Sequence, residues 1–309
     1  MAECSRCGRS GEALYKLTNL PGLICKDCFI TYYEKKVKNC VIKYEMLRGV
    51  KNIGVAVSGG KDSMALARVL SRLFPDIHLK LIHINLGIPS YSNECQKIVE
   101  KFADENSIDL IIYNIRELEG YSIDSFSKLP YVKRMCGVCG IVKRYLMNKI
   151  AYENRLDALA TGHNLDDTVE TLFKSYLKGD IEEIVRIRPL LPSTHPKLVK
   201  KIKPLIEMTE RENLLYVTLT NTMHVDVKCP FFKDSRMMKR KKLISMLEEE
   251  IKNFKYIFFK SHLKKIQPVL SKVIVEPALR ECKVCGMPTI KDVCSYCKIT
   301  SKMVTVVER

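Results

Sequence analysis

A chain of 309 residues can bury one large core with small appendages, and its 46% hydrophobic content is ordinary for a globular protein. No apolar run reaches the roughly 18 residues that a membrane span needs, and Met1-Ala2-Glu3-Cys4 opens on a cysteine pattern rather than an apolar leader, so neither membrane insertion nor export is expected, and the cytosol is the expected location. Lys and Arg outnumber Asp and Glu by 52 to 35, a formal charge of +17, which suits a nucleic-acid partner, although a merely solvated basic surface gives the same balance.

Residues 1–30 carry Cys4-x2-Cys7 and Cys25-x2-Cys28, with 17 residues between the pairs. That spacing suits four thiolates closing a tetrahedron on one Zn2+, each pair making a tight knuckle. Gly8 follows Cys7, where a knuckle turn favours positive φ. A basic helix is predicted from Phe29 to Gly49. Strands and helices then alternate. Lys51–Val57 reads as an apolar strand running into Ser58-Gly59-Gly60-Lys61-Asp62-Ser63, and Met64–Phe74 as a helix. His78–Leu86 is a second strand, Asn93–Asn106 a helix, Asp109–Ile115 a third strand and Val142–Asn154 a helix. Ala158–Thr161 reads as a short strand and Asp166–Leu177 as a helix. Repeated βαβ units with apolar strands predict an α/β fold whose parallel sheet is covered on both faces.

Residues 186–207, rich in Pro and Lys, read as an irregular connection. Thr209 with Glu212 predicts a capped helix. His224–Pro230 reads as extended, Ser235–Glu250 as a helix, and Phe254–Gln267 as a basic helical segment. Cys282-x2-Cys285 and Cys294-x2-Cys297 form a second four-thiolate set for Zn2+. So small a module has little core, and metal binding would supply most of its folding free energy. Two zinc ribbons, 1–30 and 271–309, are thus expected to flank an α/β domain at 31–270.

Thirteen cysteines in a reducing compartment read as metal ligands or catalytic thiols rather than disulfides. Cys136-x2-Cys139 has no second such pair near it, and Cys229 is its sensible distant partner. Three thiolates suit an iron–sulfur cluster with one iron left open; a dithiol with a helper and plain buried cysteines are the other readings. Cys40 and Cys95 read as small buried apolar residues. At the strand–helix junction, Gly59 and Gly60 let the backbone approach phosphate oxygens, the helix N-terminus offers free N–H groups, and Ser58 and Ser63 add hydroxyls. The string GxxxxGK[ST] is absent, so this is not a Walker A loop.

Ser58–Ser63 resembles the pyrophosphate loop of the PP-loop ATP pyrophosphatases. Thr161-Gly162-His163-Asn164-Leu165-Asp166-Asp167 is similar to the GHNxDD string of their tRNA-thiolating members. His83-Ile84-Asn85-Leu86-Gly87-Ile88 and Cys136-Gly137-Val138-Cys139-Gly140-Ile141-Val142-Lys143-Arg144 match the same group. From the first ribbon to the last, the chain is similar to the TtuA group of tRNA 2-thiouridine synthetases. One departure is Cys28, where some members carry histidine; zinc accepts either.

The resemblance implies a [4Fe-4S] cluster on Cys136, Cys139 and Cys229, beside two Zn2+ on the terminal ribbons. It implies that ATP with Mg2+ adenylates O2 of a uridine, pyrophosphate leaving against Gly59, Gly60 and Ser63, with Ser58 and Asp62 in the same loop. The backbones of Ala56 and Ile84 would contact the adenosine, and Gly162 would allow its close approach. Lys143 and Asp167 take catalytic roles by resemblance: the lysine stabilises charge at the α-phosphate, and the aspartate positions a group, takes a proton or holds Mg2+. The substrate is tRNA, and sulfur comes from a ubiquitin-like thiocarboxylate carrier or free sulfide; a homodimer is compatible with the group. Lys35–Lys43, Lys197–Lys203, Lys239–Lys242 and Lys264–Lys265 are the candidate tRNA contacts. The segment Lys143–Asn148 favours T-loop position 54 over wobble uridine 34. The two ribbons speak against a tRNA 2-thiocytidine synthetase, and the intact loop and cysteine trio against a non-catalytic zinc RNA-binding protein.

Overall fold

The computed structural model describes residues 2–10, 14–17, 20–129, 135–232, 236–274 and 277–307. A hairpin of β1 (Tyr15–Lys16) and β2 (Leu23–Ile24) carries the first cysteine set and leads into α1 (Lys26–Lys43). The alternating core follows: β3 (Asn52–Ala56), α2 (Lys61–Leu73), β4 (His78–Asn85), α3 (Tyr91–Glu105), β5 (Asp109–Asn114), α4 (Ile115–Glu119), α5 (Met135–Glu153), β6 (Ala158–Thr161) and α6 (Leu165–Lys178). Next come α7 (Ile181–Arg186), β7 (Leu190–Leu191), β8 (Lys200–Ile202), α8 (Glu210–Leu219), α9 (Arg236–Glu250), α10 (Phe254–Ser261) and α11 (Gln267–Val273). The hairpin β9 (Arg280–Glu281) and β10 (Pro288–Thr289) and the helix α12 (Ser295–Val307) complete the chain.

Six strands form one sheet in the order β5-β4-β3-β6-β8-β7. All neighbours are parallel except β7, which runs antiparallel to β8. The central strand β3 holds Val55 in register with Leu81 and Ala160, all fully buried, as a strand covered on both faces demands. One face is covered by α1, α2 and α8, through Phe29, Tyr33, Met64, Leu70 and Tyr216. The other is covered by α5 through Val142, Leu146 and Ile150, with the C-terminal cysteine module packed beyond it. There Tyr145 stacks on Tyr296 at 3.7 Å, and the Tyr121 hydroxyl donates to that of Tyr296 at 2.8 Å. Among the described residues, no helix is long and apolar enough to cross a membrane.

Residues 186–207 are not an irregular connection, because they supply β7 and β8. Two and three residues are too few to show a period, and the lysines of β8 mask its buried Ile202. Helix α5 is already formed at Met135, ahead of the predicted Val142, so Cys136 and Cys139 both lie on it. His224–Pro230 forms no strand, only an isolated bridge between Val225 and Gly60. The segment from Phe254 runs on past Gln267 to Val273, through a π-helical turn at His262–Ile266. The predicted helix start at Ser235 lies outside the described residues. The capping box of Thr209 and Glu212 on α8 is present as expected.

Candidate nucleotide and thiol site

From β3 the chain crosses to β4 on one side and later to β6 on the other, so the carboxyl ends of β3 and β6 flank a switch in strand order, where open α/β sheets bind ligands. Two turns meet there. After β3, Gly60 caps α2 without a side-chain hydrogen bond, leaving first-turn N–H groups free for an anion. The Ser63 hydroxyl donates to the Gly60 carbonyl at 2.8 Å and accepts from the Ser58 amide at 3.1 Å, which shapes the turn. Gly59 sits at φ +81°, and a Cβ there would lie 3.1 Å from the backbone of Cys95. After β6, a Cβ on Gly162 would lie 3.1 Å from the backbone of Asp62 and Ser63, so the second turn is pressed against the first.

Asp62 is held on both sides: its Oδ1 accepts from Asn164 Nδ2 at 3.0 Å and from Asn213 Nδ2 at 2.8 Å. Asn164 also caps α6, accepting from the Asp167 amide at 2.9 Å. An ionic chain runs outward from the loop. Lys61 Nζ meets Asp62 at 3.1 Å and Glu210 at 2.7 Å; Lys241 Nζ, from α9, meets Glu210 at 3.2 Å and Asp167 at 2.7 Å. Burial alone would lower both ammonium groups, but the carboxylates outweigh it and hold each above the usual lysine range. Burial would likewise raise Glu210, yet Lys61 and Lys241 keep it below the usual carboxylate range. Sequence reasoning missed Asn213 and Glu210, and it placed Lys241 in the candidate tRNA stretch Lys239–Lys242, whereas the structure pairs it with Asp167 and Glu210; no local signal marks these contacts, because each residue reaches the loop only through tertiary packing.

Ala56 ends β3 beside Ile82 of β4, and Ile84 is buried near the end of β4, so their backbones border the same crevice. His83 donates from Nδ1 to the Val57 carbonyl at 3.0 Å, and burial lowers its basicity.

The thiols form a second group beside the loop. Cys136 and Cys139 lie on α5, and the Cys136 thiol donates to the Phe231 carbonyl at 3.6 Å, which pins the segment bearing Cys229. Burial raises the Cys139 thiol; Lys143, one turn along and hydrogen-bonded to it, works against that, while charge at Cys229 and Cys136 adds to it. The sequence-predicted Lys143 therefore stands at the thiols, and Asp167 stands at the Lys241 end of the ionic chain. Cys95 is buried as expected, and it also contacts the loop at Gly59 and shares a hydrogen bond with Tyr91.

Among the described residues, two groups bring their ligand atoms within 4.8 Å of one another: Cys4, Cys7, Cys25, Cys28 and Cys282, Cys285, Cys294, Cys297. Cys7 and Cys25 sulfurs lie 3.8 Å apart, as do those of Cys285 and Cys294. A tetrahedron with metal–sulfur bonds of about 2.3 Å has an edge of about 3.8 Å, so both sets fit one zinc-sized ion. Backbone amides donate to sulfur as well, Cys25 N to Cys4 and Cys294 N to Cys282. The central trio is more open than these sets, and a multi-iron cluster spreads its ligands wider than a single ion does.

Residues 30–226 match the PP-loop domain family. The chain is 36% identical to the tRNA-5-methyluridine(54) 2-sulfurtransferase of Thermotoga maritima, covering 97% of each chain. It is 36% identical to the protein of the same name from Pyrococcus horikoshii, over 96% of this chain and 93% of that one. Among solved structures, it is similar to the U34-tRNA thiolase NcsA from Methanococcus maripaludis with its [4Fe-4S] cluster, at 27% identity and a TM-score of 0.80, covering 98% and 97% of the two chains.

Proposed function

The chain belongs to the PP-loop domain family, in the branch of tRNA 2-sulfurtransferases, and from that premise we propose that it replaces O2 of 5-methyluridine 54 in tRNA by sulfur, using ATP. The observation that carries the reading is the full-length likeness to enzymes named for that reaction, 36% identity over 97% of both chains in one case.

In this reading the triphosphate of ATP lies against Ser58, Gly59, Gly60 and Ser63, where α2 offers its free amides, and the backbones of Ala56 and Ile84 border the adenosine. Incoming phosphates compete with Asp62 and Glu210 for Lys61, and the released carboxylates can take Mg2+. Asp167, steadied by Lys241, faces the same anionic ligand, and Gly162 lets it come close. Lys143 stabilises negative charge between the activated base and the thiols. When bound by Cys136, Cys139 and Cys229, a [4Fe-4S] cluster supplies an iron with no protein ligand, at which sulfur can be held. Zn2+ on each four-cysteine set holds the ribbons at 1–30 and 271–309, flanking the domain at 31–270. A ubiquitin-like thiocarboxylate carrier or free sulfide supplies the sulfur, a homodimer is compatible with the reading, and the cytosol is its setting.

Likeness to a U34-tRNA thiolase over 98% of the chain favours a second reading, thiolation at the wobble uridine. Mass spectrometry of nucleosides from mapped tRNA fragments, after anaerobic reconstitution with ATP and sulfide, separates the two. Sulfur at position 54 is expected. Sulfur at position 34 moves the assignment to the second reading, and ATP turnover with no thiolated nucleoside overturns both.

A further inference from the structure

Many of the chain's cations already meet a carboxylate. Lys36 pairs with Glu212, Lys43 with Glu207, Lys197 with Glu281 and Lys241 with Asp167. Lys201, Lys203, Arg144 and Arg186 have no such partner among the described residues, yet they stand together. Lys201 is in register with Leu159 of β6 and Leu191 of β7. Leu159 packs into the core under α5, whereas Ile202 packs into the opposite core. Alternation along the strand therefore turns Lys201 and Lys203 to the α5 side. Helix α5 brings Arg144 there, and the end of α7 brings Arg186, both exposed. The link to β7 is held alongside by the Lys203 amide, which donates to the Pro189 carbonyl at 2.9 Å.

The consequence is stored repulsion. Burial, with Arg186 and Arg144 beside Lys201, and with Lys201 and Arg188 beside Lys203, pushes both amines down to about 8. Lys201, Lys203, Arg144 and Arg186, with no carboxylate partner among the described residues, suit an anion from outside. ATP is the nearer anion in chemistry but not in place. The group lies two strands from β3 and its phosphate turn, and on the face of the sheet where α5 carries Cys136 and Cys139. His163 stands between, its imidazole feeling Lys203 and Arg144 on one side and Asp167 and Asp62 on the other. An anion lying along this edge would pass beside the thiols. Arg144 also opens onto a 230 Å³ cavity shared with Asn148, Tyr145 and Tyr296, where the buried Asn148 Oδ1 accepts no hydrogen bond from the described residues.

Resting on the reading of the chain as a tRNA-thiolating enzyme, we propose that Arg144, Arg186, Lys201 and Lys203 form the site for the RNA phosphates that flank the target nucleotide. This narrows the lysine-rich stretches of the sequence to one cleft between α5 and β8.

The test is the double variant Lys201→Met/Lys203→Met, which keeps the aliphatic length and removes the charge. Labelled tRNA is titrated at several salt concentrations, ATP binding is measured without RNA, and thermal unfolding is followed in parallel. RNA affinity should fall roughly ten-fold at moderate salt, with a salt slope shallower by about 1.5. The melting temperature should rise by a few degrees as repulsion is relieved. ATP affinity should not change. Wild-type affinity and slope in the variant overturn the proposal, and so does a loss of ATP affinity as large as that of RNA. Failure of the wild-type protein to bind tRNA overturns the parent reading together with this one. Lys203→Met alone, just beyond the strand, serves if the double variant does not fold, with about half the change in slope.

Discussion

Gly59 and Gly120 share a backbone requirement and differ in what surrounds them. Both lie at positive φ, +81° and +73°, where an L-residue costs on the order of 1 kcal/mol. A Cβ on Gly120 meets nothing within 4 Å, whereas one on Gly59 presses on Cys95. Gly59→Ala and Gly120→Ala should therefore lose comparable backbone stability in urea unfolding, with Gly59→Ala losing more, and only Gly59→Ala should weaken ATP binding. Lys201 and Lys203 give the residue scale a pH signature. The charged groups facing them are Arg144, Arg186, Arg188 and each other, and their folded-state pKa is about 8 against about 10.4 unfolded. The folded chain thus binds fewer protons between those values, so the penalty is full below about pH 8 and fades as pH rises toward 10.4. Wild type should gain stability relative to Lys201→Met/Lys203→Met between pH 8 and 10, measured by urea midpoints; a constant difference would contradict the sign. At this scale the loop was legible, because Ser58–Ser63 is contiguous. The grip on Asp62 was not, because Asn213 reaches it from 151 residues away.

Helix α9 lies beyond the part of the chain that matches the PP-loop domain, yet it closes the ionic chain of the nucleotide site through Lys241 and binds α6 again through Arg240 and Glu170. Lys241→Met should raise the KM for ATP several-fold and leave zinc and iron content unchanged, as steady-state kinetics and metal analysis can establish. Cys229→Ala is the complementary case. In the proposed assignment it removes one of three cluster anchors, so iron should be lost after reconstitution while both four-cysteine sets keep their metal; retained iron with intact absorbance would break the assignment. Elements were legible where they were long and alternating, as with β4 and α3. They were hidden where tertiary contact supplies what periodicity does not. β8 shows three residues, two of them lysines, and is recognisable only from its neighbours β6 and β7. The helical state of residues 135–141 was hidden for a different reason: two cysteines and two glycines in this stretch give no apolar period, although here they lie on a helix.

Taken whole, the molecule places its C-terminal cysteine module on the helix that carries the thiols, through the Tyr145–Tyr296 stack. Cys282→Ser should release one zinc, loosen that module, and lower the retention of iron at Cys136 and Cys139, read by limited proteolysis and iron assay. Alternation of strands and helices made the α/β class readable, but not the strand order, since nothing local tells β6 to lie beside β3. Nor could spacing say that residues near 225 return to the first loop. They do so through the backbone: the Val225 amide donates to the Gly59 carbonyl at 2.8 Å, four residues before Cys229. That amide is a built-in clock. Its deuterium uptake should slow when the turn at Gly59 is stiffened and quicken when the turn lets go. Uptake at this position, followed with and without ATP, would time how the filling of one chamber is felt in the next.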